Sequence, residues 1–272
     1  MSGAEKIREH YDSLAFVYRA FWGDHIHHGL FFDHEPPEQA QLQLLDYSVE
    51  LLQLRGGETV LDVGCGYGGT LLYLARRFGC RGVGITISPK QAQIARASTR
   101  QAQLDDRLDF IVEDVGDFPF PEAGFDIVWA MESSEHFSGK GRFFRQAASS
   151  LRAGGQLFLA AWTGSMKNQR IREVARRFLC PQLWTAEEYR LSIEAAGLHL
   201  LRCRDLTARV MPTWAICQER VRLAQPALKL LPRPVREFVT GIEVILDAYR
   251  SGDLSYTVMT ARNPLPACST AC

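Results

Sequence analysis

The chain has 272 residues, 46% hydrophobic and 23% charged, enough to bury a sizeable core without disulfides or metals. Lysine plus arginine equal aspartate plus glutamate at 31 each, which excludes a global field for nucleic acid or anionic lipid. With no apolar run near the roughly 20 residues of a membrane span, no signal-peptide core and seven scattered cysteines, it reads as cytoplasmic, with reduced thiols and no stable membrane insertion.

The first predicted element is a short helix over 4–18. It carries Tyr11 and Tyr18 seven residues apart, two turns, so one face can present both. An aromatic and histidine-rich stretch follows from Phe21 to Phe32, then Pro36-Pro37 opens an amphipathic helix to about Leu54, closed by Gly56 and Gly57. From there the pattern alternates. Short apolar runs predict strands at 59–63, 82–87, 108–112, 126–131 and 156–161. Helices lie between them at about 68–78, 89–103 and 140–152, and Ser88-Pro89 is a clear start signal. This alternation predicts a mainly parallel, doubly wound α/β sheet with helices on both faces. Beyond Ala161 we expect a helical stretch to about Phe178 and another from Thr185 to Ala196. A strand at 198–204, helices near 211–230 and 235–250, and a last strand from Ser255 to Thr260 complete the chain. Arg170, Arg172, Arg176 and Arg177 read as a solvated helix face, and Cys268 and Cys272 as an unstructured end with no further ligand partners.

The sharpest local signal is Val60-Leu61-Asp62-Val63-Gly64-Cys65-Gly66-Tyr67-Gly68-Gly69, an apolar strand running into a glycine-rich turn. Gly64, Gly66 and Gly69 fit the dinucleotide pattern GxGxxG, which is weak evidence alone. Asp62, two residues before the first glycine, can reach the ammonium of S-adenosylmethionine (SAM) but would repel a pyrophosphate. The second strand ends Gly84-Ile85-Thr86-Ile87-Ser88, without the acid that a nicotinamide dinucleotide needs for its ribose. Thr86, Ser88 and Gln91 offer neutral groups for a ribose diol instead. At the third strand's exit, Asp114 can accept from an adenine amino group while Val115 stacks on the ring.

The fourth strand and its exit, Phe125 to Phe137, with Leu151-Arg152-Ala153-Gly154-Gly155, resemble the class I SAM-dependent methyltransferases. More narrowly the chain is similar to the γ-tocopherol methyltransferase-like group. The likeness also covers Trp22-Gly23-Asp24-His25-Ile26-His27-His28-Gly29, the Gly84 to Gln91 motif, and Tyr249-Arg250-Ser251-Gly252 with the closing strand. It implies a Rossmann-like seven-stranded core under a mostly helical acceptor cap. The corresponding parts are amino-terminal lid helices over 1–56, a SAM-binding core over 57–165, cap helices and last strands over 166–262, and a flexible tail over 263–272. With no plastid-targeting extension before the match, the expectation is a bacterial-type or already mature form.

The resemblance further implies that SAM is bound by Asp62, Gly64, Cys65, Gly66, Thr86, Ile87, Ser88, Gln91, Asp114, Val115, Met131 and Glu132. It places the His27-His28 segment, His28 in particular, against the cofactor's methionine end, with S-adenosylhomocysteine (SAH) as product. His136, just past the fourth strand, is the candidate base or acceptor anchor, and Tyr11 and Tyr18 are candidates to close over the site. Its alternative is a histidine that merely caps the next helix. Phe31, Phe32, Trp184, Trp214 and Phe238 are candidate acceptor-pocket walls. Glu132 and Glu135, three residues apart at a strand exit, fit cofactor and acceptor orientation better than glycosidase chemistry. His25, His27 and His28 do not read as a metal site, because no convergent carboxylate is specified.

The expected acceptor is a small aromatic, prenylated or alkaloid-like molecule methylated on carbon, nitrogen or oxygen; a sugar or polyketide hydroxyl is the alternative. A non-catalytic SAM-binding protein is the reading outside enzymology. Cyclopropane fatty acid synthases share the threonine-type second-strand motif, but the expectation for those is a longer chain with an acyl-lipid face. Oligomeric state is expected to be monomer or weak homodimer, with no nucleic-acid partner.

Overall fold

The computed structural model describes residues 3–23, 25–223 and 233–265, and the side chains of 4, 14–22, 233–235 and 237 lie outside that description. Seven strands form one sheet: β1 (Thr59–Val63), β2 (Arg81–Thr86), β3 (Leu108–Val112), β4 (Phe125–Met131), β5 (Leu151–Gly164), β6 (His199–Asp205) and β7 (Leu254–Arg262). Their order is β3-β2-β1-β4-β5-β7-β6. The first five strands pair in parallel, and β7 runs antiparallel between β5 and β6.

The helices are α1 (Gly3–Trp22), α2 (Pro37–Leu52), α3 (Gly69–Phe78), α4 (Pro89–Gln101), α5 (Lys140–Ser150), α6 (Gln169–Arg177), α7 (Ala186–Ala195), the single turn α8 (Thr207–Val210), α9 (Pro212–Leu223) and α10 (Arg233–Arg250). A 3-10 turn at Ser134–His136 follows β4.

Alternation along the strands divides the core in two. Val60, Ile127, Trp129, Phe158 and Trp162 join one buried cluster, while Leu61, Val63, Val128, Leu157 and Ala161 join the other. That period of two is what a sheet covered on both faces requires. Trp129 stacks on Phe158 at 4.2 Å between ring centres across β4 and β5. Truncating a ring in such a place costs about 3–5 kcal/mol.

Three expected boundaries shift. The strand expected at 156–161 runs from Leu151 to Gly164. Residues 152–155 form an irregularity in the β4–β5 ladder, where the Gly154 N–H donates to the Asn263 carbonyl and the Asn263 N–H donates to the Gly155 carbonyl. The helix expected near 211–230 begins as α9 at Pro212, and a separate single turn, α8, precedes it at Thr207–Val210; the Pro212 ring cannot donate to that turn. Residues 224–230 of that expectation lie outside the described residues. α1 is longer than expected and packs against both α4 and α10, and α10 packs on α6 and α9. The cap side chains Phe178, Trp214, Phe238 and Ile242 are continuous with the core cluster around Trp162.

Candidate active site

Strand β1 has its successor β2 on one side and β4 on the other, so the chain's winding reverses here. Ligands of open α/β sheets bind beyond the strand ends at such a point. Two turns are made to fit there. Gly64 has φ 83°, and a Cβ on it would stand 2.3 Å from the Cβ of Ser133, so only glycine fits. The Ser133 hydroxyl in turn donates to the Val63 carbonyl at 2.6 Å, tying the exits of β1 and β4.

A cavity of about 580 Å³ opens over these exits. Of the residues picked out from the sequence, Tyr11, Gly64, Gly66, Thr86, Ile87, Gln91, Asp114, Val115, Met131, Glu132 and His136 line it. Ser88 does not. It is fully buried, and its hydroxyl accepts from the Gln91 N–H at 3.0 Å while donating to Asp12 of α1. Thr86 donates to the Gln91 side-chain carbonyl at 2.7 Å, so these two neutral groups arrive at the cavity already paired. Asp114 accepts from the Gly116 N–H at 2.8 Å through Oδ1.

A narrow cavity of about 40 Å³ continues beside Asp62 and Cys65. Asp62 is 3% exposed, its Oδ2 has no hydrogen-bond partner, and burial pushes its carboxyl up to about 7. His25 and His27 line the same space, and the buried His25 Nδ1 and His27 Nε2 also lack partners. His27 Nδ1 lies 2.8 Å from the His28 carbonyl, which can only accept, so Nδ1 carries the proton and Nε2 is a bare lone pair. Burial holds both rings neutral, lowering His25 to about 3 and His27 below its ordinary value. A buried acceptor left alone costs about 1–3 kcal/mol. The unpaired Asp62 Oδ2 and His27 Nε2 fit a donor-rich cation, and the α-ammonium of SAM is one.

His28, expected at the cofactor's methionine end, lines a different space from Asp62. It lines a third space of about 50 Å³, together with Glu132, walled by Trp162, Phe178, Trp214 and Phe238. His27, its neighbour, is the one that reaches both spaces. Of the aromatic walls expected from sequence, Trp214 and Phe238 line this space, while Phe31, Phe32 and Trp184 line none of these three cavities. Phe32 is exposed under Arg209, and Trp184 packs on Tyr189. Trp162 and Phe178 were not picked out. Trp162 carried a usable signal, since it continues the 158, 160, 162 face of β5 to its carboxyl end.

Tyr11 and His136 meet: the Tyr11 hydroxyl is 2.9 Å from His136 Nε2. His136 Nδ1 faces the Leu179 carbonyl at 3.4 Å, a long contact that still assigns the proton to Nδ1 and a lone pair to Nε2. Burial depresses this imidazole to about 4. Tyr18 lies on α1, with its side chain outside the described residues. Lys140 braces the turn: its buried ammonium donates to the carbonyls of Phe137 at 3.0 Å and Gln182 at 2.7 Å, and burial lowers it to about 8. Glu135 turns away from the cavities and accepts from the Trp162 N–H at 2.6 Å, with burial raising it to about 8.

The sequence pattern of the family described as mycolic acid cyclopropane synthetase matches residues 1–229. The 27-O-demethylrifamycin SV methyltransferase of Amycolatopsis mediterranei (strain S699) is 32% identical over 272 residues, covering 95% of this chain and 97% of that protein. The chloroplastic tocopherol O-methyltransferase of Arabidopsis thaliana is 28% identical over 287 residues, covering 95% and 82%. Among solved structures, the cyclase SpnF superposes with a TM-score of 0.83 at 27% identity, covering 97% of each chain. A cyclopropane synthase from Mycobacterium tuberculosis shares the fold with a TM-score of 0.84 at 21% identity, covering 95% of this chain and 98% of its own. Chain length therefore does not separate this protein from that synthase.

Proposed function

Because the chain belongs to the mycolic acid cyclopropane synthetase family of SAM-dependent methyltransferases, we propose that it methylates a hydroxyl oxygen of a small natural product. SAM supplies a methyl group that its sulfonium has already made electrophilic. The remaining tasks are holding the two reactants in line, excluding water and taking up a proton.

Asp62, with His25 and His27 beside it, would hold the ammonium of the cofactor, and Asp114 the adenine. The observation that carries the choice of oxygen is the Tyr11–His136 pair. A hydroxyl that reaches Nε2, directly or through the Tyr11 hydroxyl, finds an unprotonated nitrogen whose other side is tied to the Leu179 carbonyl. An imidazole near 4 is a weak base for a free alcohol. It suffices for an oxygen whose acidity rises sharply as the methyl group bonds to it, so proton uptake follows the bond. The relative acting on a demethylated rifamycin and the tocopherol relative, both named for O-methylation, support the same acceptor chemistry.

The test is single-turnover transfer with a hydroxylated acceptor found by screening. His136→Ala is expected to lower kcat by about 100-fold or more with SAM affinity intact, and Tyr11→Phe by a smaller factor. Unchanged turnover in His136→Ala removes the proposal.

A further inference from the structure

Glu132 is a buried carboxylate whose partners are all uncharged. The side chain is 7% exposed and takes four donors: the His28 N–H at 2.8 Å, His28 Nδ1 at 2.8 Å, the Tyr256 hydroxyl at 2.8 Å and Trp162 Nε1 at 3.4 Å. The charge state of His28 follows from its other nitrogen. Trp214 Nε1, which can only donate, lies 2.6 Å from His28 Nε2. A doubly protonated ring would set two N–H groups head to head, so His28 is neutral with its one proton on Nδ1. Among the described residues, no lysine or arginine makes an ion pair with Glu132.

Burial works against this charge, and the His28 ring N–H and backbone N–H, both donating to it, hold the carboxyl below the ordinary glutamate range. The residue also sits at φ 50°, a left-handed conformation unfavourable for a side chain with a Cβ. An anion placed at such expense, with no cation against it, is completed by one arriving from outside. Glu132 borders both the large cavity and the aromatic-walled space beyond it, so it stands where the two reactants meet.

We propose that Glu132 is the fixed counter-charge of the cofactor's sulfonium and makes the site prefer charged SAM over its neutral product SAH. The inference rests on SAM occupying the large cavity. Methyl transfer erases the positive charge, the attraction goes with it, and the product is released. Coulomb attraction between buried charges several ångströms apart corresponds to a preference on the order of tenfold or more.

The experiment is calorimetric titration of the full chain with SAM, SAH, sinefungin and 5′-methylthioadenosine. Sinefungin carries an amine in place of the methylsulfonium and is expected to follow SAM. In the wild type, SAM and sinefungin bind about tenfold or more tightly than SAH. In Glu132→Gln that preference collapses to within about threefold, while SAH and 5′-methylthioadenosine keep their affinities; the last two report that the cavity is still formed. A Glu132→Gln protein that loses SAM and SAH equally overturns the proposal, as does a wild type that binds them equally. Should the variant not fold, salt decides in the wild type. A buried charge keeps the preference between about 50 and about 500 mM salt, and a preference that vanishes belongs to the surface and overturns the proposal. No binding of SAM at all would instead remove the cofactor assignment.

Discussion

Asp62 shows how one residue trades stability for binding. Burial raises its carboxyl from 3.8 to about 7, so the folded protein holds this proton more tightly than the unfolded chain does. The stability that goes with the bound proton is complete below the unfolded value and is lost as pH rises through about 7. Without cofactor, Asp62→Asn is therefore expected to raise the thermal midpoint at pH 8 and to leave it little changed at pH 4, as read by calorimetric melting. Cofactor affinity has the opposite sign. An ammonium needs the ionised carboxylate, so SAM Kd rises by about tenfold per pH unit below about 7 and is flat above it. In Asp62→Asn the slope disappears and binding is weak throughout. Asp62 was legible because its distance from Gly64 fixes it at a strand end. The choice between His27 and His28 was not. Which of two adjacent histidines faces the cavity is settled by contacts far along the chain, where Thr213 accepts from the Gly29 N–H and the Ala40 carbonyl accepts from the Leu30 N–H.

Among the elements, the joint between α1 and α4 connects closure to the core. Ser88 caps α4, as Ser88-Pro89 announces, but its contact with Asp12 depends on how α1 crosses the site and has no local signal. Ser88→Ala is expected to cost about 1 kcal/mol, lowering the thermal midpoint by about 2–4 °C. Asp12→Ala leaves the cap intact, so its expected effect is a raised KM for SAM with little change in melting. Equal destabilisation by both would mean that the contact to α1 stabilises the fold rather than the closed site. Lys140 serves a second joint, between the 3-10 turn bearing His136 and the segment around Leu179. Lys140→Met removes both carbonyl contacts, and the expected result is a lower kcat with unchanged SAM Kd, since His136 loses its aim and the cofactor cavity does not. No sequence pattern marks a lysine for burial; its 3% exposure comes from the backbone carbonyls that converge on it.

At the scale of the whole molecule, alternation of strands and helices was enough to read the parallel half of the sheet. The place of β7 was also within reach. Residues 254–261 are almost wholly buried and carry no charged side chain, as suits an interior strand, while β6 is mostly exposed with Arg202, Arg204 and Asp205, as an edge requires. Continuity of the cap with the core had no such signal, because it depends on how α6, α9 and α10 return to Trp162. The same continuity gives the small space beside Glu132 its aromatic walls and sets it beside the Tyr11–His136 pair. That arrangement is the basis for oxygen as the methylated atom. The most direct test is transfer of labelled methyl from SAM across a panel of chromanols, simple phenols, polyketide and sugar alcohols, alkaloids and aminated lipids, followed by mapping of the labelled atom. Label on a hydroxyl oxygen, lost in His136→Ala, is the result this structure predicts. Label delivered to carbon or nitrogen, or SAM bound tightly with no hydroxyl acceptor labelled, would contradict it.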